Sequence, residues 1–283
     1  MSDRRKGLLY IVVAALLWST GGIGIKALPD PALKVAFYRS VFAAVTLFAL
    51  FRRDVRIQPS PAFFVSIVSY AGCLTTFVVA TRWTTSANAI FLQYAGVVWV
   101  LLLAPVVLRE PMRRRDIIAI VAALAGMALF FVGRFEARGM AGNAMALLSS
   151  VFFASMILAL RRAHDASRAA VAWGNVALAL ALLPFVAHDL ALTTKSLLAL
   201  LFLGVFQIGV AYAFFVKGLR HVAATEASLT GMLEPVMNPI WVLLFIGERP
   251  SIYALFGGAI VLAAIAWHTL QGGEPASELP APD

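Results

Sequence analysis

Apolar residues in this chain gather into ten blocks, each close to the length that crosses a bilayer, and the connections are too short to hold a soluble domain. The blocks cover about 7–28, 31–51, 61–81, 86–108, 115–133, 139–160, 168–188, 195–217, 225–246 and 250–270. A hydrocarbon core ~30 Å thick needs roughly 20 residues of helix. In that medium every backbone N–H and C=O must be satisfied within its own segment, so stretches of this length fold as helices. The pattern predicts an all-α membrane protein with ten transmembrane helices. Composition agrees, with 61% of the 283 residues hydrophobic and only 13% charged, where soluble domains carry about a quarter charged residues.

The net charge of +9 raises nucleic acid as a partner, but its placement argues against one. Of the 23 Lys and Arg, 15 fall at the N-terminus and after the second, fourth, sixth and eighth blocks, and 7 fall on the opposite side. This bias follows the positive-inside rule and predicts that both termini are cytoplasmic. The expected contacts of the protein are therefore the lipid bilayer and a small-molecule solute, with no nucleic acid. Protein partners are not indicated. The Pro-rich, acidic segment 272–283 reads as a disordered cytoplasmic tail.

The blocks also repeat. A shift of 138 carries Phe77 onto Phe215, Arg82 onto Arg220, Ala89 onto Ala227, Val98 onto Val236 and Glu110 onto Glu248. The layout of span, Arg at the exit, small-residue entry, span and Glu beside Pro recurs in one order. Five spans per copy, an odd number, force the second copy into the opposite orientation. The expected organisation is one five-helix repeat over 1–137 and an inverted one over 138–271, around a central cavity. Inverted repeats of this kind place a solute site near the bilayer midplane and open it alternately to each side, as secondary transporters do.

Particular stretches carry a resemblance to a known family. They are Trp18-Ser19-Thr20-Gly21-Gly22-Ile23-Gly24-Ile25-Lys26 in the first span and Phe37-Tyr38-Arg39-Ser40 in the second. Ala224-Thr225-Glu226-Ala227-Ser228-Leu229, Glu234-Pro235 and Gly247-Glu248-Arg249 follow in the second half. Together they resemble the drug/metabolite transporter superfamily in its ten-helix EamA-type branch. The resemblance implies export of amino acids or related small metabolites across a bacterial-type inner membrane. The first half departs at Gly96-Val97, where a Glu-Pro pair would be mirrored, and at Arg109-Glu110, where Gly-Glu is usual.

Charge inside hydrocarbon is costly and tends to face a cavity or a partner helix. Arg39 and Glu234 each lie ~12–14 Å into their spans, near the middle of a ~30 Å core. They are compatible with an ion pair, with contact to a charged solute, or, for Glu234, with a proton role. Gly21, Gly22, Pro235 and Pro239 are candidates for a hinge or kink, since proline removes an intrahelical donor and glycine eases bending. Trp18 sits in mid-span, where an interfacial role for Trp fails. With Ser19, Tyr70, Cys73, Phe77, Phe91, Tyr94, Ser149, Phe152, Phe153, Gln207 and Tyr212 it forms the candidate lining of the cavity. Trp99, Trp241 and Trp267 read as packing or interface anchors, and Glu110 and Glu248 as braces of their hairpins.

Four scattered histidines and a lone Cys73 offer no metal-ligand spacing, and no phosphate-binding Gly-rich loop is present. The chain reads as a transporter and not an enzyme, with no cofactor. An aromatic lining leans toward hydrophobic or aromatic amino acids. Another solute, such as a drug or nucleobase, remains open at this level, as do a membrane enzyme and a lipid flippase-like scaffold.

Overall fold

The computed structural model describes residues 2–130, 132, 139–246 and 251–271, and no strand occurs among them. Fourteen helices follow one another: α1 (Asp3–Trp18), α2 (Gly21–Ala27), α3 (Ala32–Phe51), α4 (Pro61–Trp83), α5 (Ser86–Gln93), α6 (Gly96–Val107), α7 (Arg114–Phe130), α8 (Met140–Ala163), α9 (Ser167–Val186), α10 (Thr194–Phe202), α11 (Ala211–Leu219), α12 (Ala224–Gly231), α13 (Leu233–Ile246) and α14 (Ile252–Leu270). Between α10 and α11 the chain continues as a π-helix, Leu203–Val210. Short polar side chains set several starts. The hydroxyls of Ser60, Thr85, Thr193 and Ser251 accept backbone N–H bonds three residues on, at 3.1–3.2 Å. Such caps satisfy donors the helix leaves orphaned.

Six helical stretches among the described residues are long and apolar enough to cross a membrane by length and composition: Ala32–Val55, Pro61–Trp83, Asn88–Val107, Met140–Val186, Thr194–Leu219 and Ile252–Leu270. The expectation of ten separate long helices is met in part. The first block is interrupted at Ser19–Thr20, into helices of 16 and 7 residues. The ninth is interrupted at Met232, and α7 is 17 residues long. The fourth block is also broken, at Tyr94–Ala95. At each break an N–H turns back to a carbonyl three residues earlier: Thr20 to Leu17 at 3.3 Å, Ala95 to Leu92 at 3.2 Å and Met232 to Leu229 at 3.0 Å. These tight turns release carbonyls that no α-helical donor reaches.

Helix positions recur along the chain. α5 and α12 are 138 residues apart at both ends, and α7 and α14 start 138 residues apart. Packing recurs as well. α4 lies along α8 while α1 lies along α11, and α4 packs on α9 while α3 packs on the π-helix. α3 with α9 and α7 with α14 complete the arrangement. Elements before residue 131 thus bury much of their surface against elements after 139. The Gly247-Glu248-Arg249 motif and the tail 272–283 lie outside the described residues, as does the side chain of Pro239.

Candidate functional site

The breaks in the first, fourth and ninth blocks and the π-helix converge on one cavity. Its wall includes Trp18, Arg39, Cys73, Phe77, Phe153, Gln207, Tyr212 and Glu234, eight of the residues proposed from sequence. Leu74, Gln93 and Ile208 join them. Leu74 lies one position from Cys73 and Ile208 one from Gln207, within reach of a pattern argument. Gln93 likewise lies one position from Tyr94, while its own amide at a block centre does not distinguish it from a packed one. The cavity holds about 30 Å³, room for a water or two. Solute pockets run to roughly 300–1,000 Å³. The cavity as it stands is smaller than a solute needs.

One side of the wall is built on Arg39, 3% exposed. Its Nη2 donates to Gln207 Oε1 at 2.6 Å, and Gln207 Nε2 donates in turn to the Trp18 carbonyl at 3.4 Å, at the first-block break. The π-helix carries Gln207, and π-turns of this type recur at functional sites. Gly21 makes the approach possible: a Cβ there would stand 2.5 Å from Gln207 Nε2. Arg39 Nε and Trp18 Nε1 are both buried N–H groups without a protein acceptor. The Trp18 ring packs on Tyr212 at 4.9 Å and Phe215 at 5.0 Å, and Tyr212 packs edge-on to Tyr70 at 4.7 Å.

The opposite side is built on Glu234 and Tyr94. The Tyr94 hydroxyl reaches the Gly231 carbonyl at 2.7 Å and Glu234 Oε2 at 2.9 Å. Pro235 is the third residue of α13, where its missing N–H has no helical acceptor in any case. The interruption sits three residues earlier, at Met232, so the Glu-Pro pair opens a new helix and does not kink a continuous one. The position 138 residues before Glu234 is Gly96, where a Cβ would sit 2.7 Å from the Ser150 carbonyl oxygen. Close backbone packing of α6 on α8 therefore excludes a mirrored carboxylate.

The ion pair between Arg39 and Glu234, one of the arrangements their depths allow, is not formed here. Arg39 bonds Gln207 and Glu234 bonds Tyr94, and among the described residues no ion pair joins the two. Beneath the wall, Gln93 Nε2 donates to Ser149 Oγ at 2.8 Å, and Ser149 Oγ donates to the Cys73 carbonyl at 3.3 Å. Tyr70 is fully buried and accepts from Asn175 Nδ2 at 2.8 Å. It supports Tyr212 and is not itself on the wall. Phe152 lies away from the cavity because its ring packs on Gly72, and Phe91 is likewise outside the lining. Gly22 is buried beside the first break, and the Ser19 hydroxyl donates to the Leu16 carbonyl at 2.6 Å.

Outside the cavity, Trp241 takes the packing role of the two read from sequence: its Nε1 donates to Ser19 Oγ at 2.7 Å, pinning the first break from α13. One sequence reading changes. Glu110 braces helices far from its own hairpin. Its carboxylate pairs with buried Arg161 Nε at 2.9 Å and accepts the Ala224 N–H at 2.8 Å, while Arg161 Nη1 donates to the Leu219 carbonyl at 3.1 Å. The end of α6 is thereby tied to α8 and to the entry of α12. Nearby, Arg4 pairs with Glu226, and His268 Nε2 meets Asp116 Oδ1 at 2.7 Å.

Broken helices around a small midspan cavity, with charged groups held inside an apolar bundle, define a multi-pass membrane transporter. The chain belongs to the EamA-like transporter family, whose model matches residues 5–132 and again 140–270. It is similar to an uncharacterized transporter of Archaeoglobus fulgidus, 25% identical over 93% of this chain and 97% of the relative. It is similar also to the uncharacterized transporter YwfM of Bacillus subtilis, 28% identical over 91% of each chain. The uncharacterized inner membrane transporter YicL of Salmonella typhimurium is 23% identical over 94% of this chain and 95% of its own length. A solved crystal structure shares the fold, with a TM-score of 0.81 at 20% identity over 95% of this chain and 98% of that one.

Proposed function

We propose that this transporter moves zwitterionic amino acids with apolar or aromatic side chains, exporting them across a bacterial-type inner membrane by alternating access. The observation that carries the reading is the chemistry of the cavity. Arg39 Nε and Trp18 Nε1 are open donors on one side of it, and the Glu234 carboxyl is an acceptor on the other. A carboxylate suits the donors and an ammonium suits Glu234, while the rings of Phe77, Phe153 and Tyr212 suit an apolar side chain. Charge-assisted bonds to buried groups are the strong ones. A site that holds its two charges apart leaves both for the solute.

In this reading ten spans form two inverted halves, 1–137 and 138–271, followed by the tail 272–283, with both termini cytoplasmic. The 138-residue offset of helix ends and the recurring packing pairs support that arrangement. Each half would rock on the other about the cavity, widening the present 30 Å³ to solute size.

The test is counterflow in liposomes with phenylalanine, leucine and tryptophan, each beside its decarboxylated amine and its deaminated acid, with and without a pH gradient. Transport of the amino acids with at least tenfold discrimination against both truncated series is expected. Equal transport of the amines or the acids, or none of the amino acids, would overturn the reading.

A further inference from the structure

A second cavity, of about 430 Å³, opens where α3 and α11 end and α9 begins. Helix ends of membrane-spanning segments mark the bilayer boundary. Its inner wall is apolar, from Leu50, Val210 and Phe214, and its rim is charged, from Lys217, Arg168 and Asp54. It lies apart from the transport cavity and shares no lining residue with it.

The rim carries excess positive charge. Arg168 pairs with Asp54, and Arg220 Nη2 pairs with Asp165 Oδ1 at 3.1 Å, with the His164 ring 3.4 Å from that same carboxylate. Lys217 is exposed and has no acidic partner among the described residues. Arg168 Nε and Arg220 Nε are buried donors with no protein acceptor. The Arg220 guanidinium is pushed below its ordinary value, first by desolvation and then by Arg168 beside it. On the cavity lining itself two cations, Lys217 and Arg168, face one carboxylate, Asp54, and Arg220 stands close to Arg168 outside the lining.

We propose that this cavity holds one anionic phospholipid, its phosphate received by Lys217 and Arg168 and its acyl chains laid along Leu50, Val210 and Phe214. Basic pockets between spanning helices at a membrane face bind anionic headgroups in this way. An apolar wall continuous with the lipid-facing surface, where Leu50 is 54% exposed, suits the chains. A free phosphate would use the rim and leave the wall bare.

The full chain, purified in detergent and stripped of lipid, is given phosphatidylglycerol, phosphatidylcholine or inorganic phosphate. Native mass spectrometry and thermal unfolding read the result, neither of which requires transport or knowledge of the solute. One retained phosphatidylglycerol with a raised Tm is expected, with no such effect from phosphatidylcholine. Lys217→Gln should weaken phosphatidylglycerol binding at least fivefold while melting like the parent without lipid, and Lys217→Arg should restore it. Equal retention of the two lipids, or unchanged affinity in Lys217→Gln, would overturn the proposal. A Tm rise from phosphate alone matching that from phosphatidylglycerol would assign the rim to a free anion. Lys217→Gln raising the KM of solute transport with lipid affinity intact would make the cavity a solute entrance, and either result also overturns the lipid assignment.

Discussion

Tyr94 and Glu234 meet at 2.9 Å on one side of the central cavity, each standing at the break of its own span. The same hydroxyl lies 2.7 Å from the Gly231 carbonyl freed by the ninth-block break. A phenol donates a single proton. That proton serves two acceptors, or a proton on Glu234 supplies the second bond. The contact therefore couples the shape of one broken helix to the protonation and charge of the other.

Tyr94→Phe removes the hydroxyl and leaves the Gly231 carbonyl without that donor. Losing such a buried partner costs about 1–3 kcal/mol. A lower Tm in detergent is expected, and in counterflow a raised half-saturation constant for the amino acid, because Glu234 loses its positioning bond. A variant that melts and transports like the parent would show that the bond is neither structural nor positioning.

Glu234→Gln keeps the shape and removes the charge. Hydrogen bonds to charged groups contribute about 1.5–3 kcal/mol, so amino-acid affinity should fall roughly tenfold to a hundredfold. A role confined to proton relay predicts something else: gradient-driven flux lost and solute exchange retained. Flux, exchange and Tm all unchanged would remove Glu234 from the mechanism.

Gly21→Ala places a Cβ 2.5 Å from Gln207 Nε2. Gln207 must retreat from the Trp18 carbonyl, and Arg39 loses its anchor. A severalfold rise in half-saturation constant is expected with a modest change in Tm. Gln207→Leu should raise it similarly, since it deletes the same bond, and the Gly21→Ala Gln207→Leu pair should not be additive. Additive losses would place the two residues on separate structural tasks.

Breaking the buried Glu110–Arg161 pair leaves a lone charge that desolvation penalises, at about 3–5 kcal/mol. Glu110→Ala or Arg161→Ala should each lower Tm more than any variant of the cavity wall. Replacing both by a Met and a Leu should recover much of the loss, because the uncompensated charge is gone. Recovery absent in the double variant would point to the backbone bonds at Ala224 and Leu219 as the main contribution.

Sidedness can be read with single cysteines at Met112, which is 45% exposed, and at position 249, in a chain carrying Cys73→Ala. An impermeant thiol reagent should label the two from opposite faces of the membrane. Labelling from one face would remove the inverted arrangement of the halves.

Much of this molecule was legible along one dimension. Span lengths, the helical class and the family motifs follow from local hydropathy, because in hydrocarbon each segment must satisfy its own backbone. Depth is equally local: counting along a helix placed Arg39 and Glu234 at one level, and both line the cavity. Rotation and interruption are not local. Whether a residue at cavity depth faces inward depends on which neighbour packs behind it, so Tyr70 and Phe152 stand behind the wall while Gln93 stands on it. The breaks in the first and ninth blocks are held by bonds from other spans: Gln207 to the Trp18 carbonyl, Trp241 to the Ser19 hydroxyl and Tyr94 to the Gly231 carbonyl. The tertiary structure alone decided that Arg39 and Glu234 stay apart. Gln207 and Tyr94, each nearer to hand, take the bonds the two charges would otherwise have made with each other.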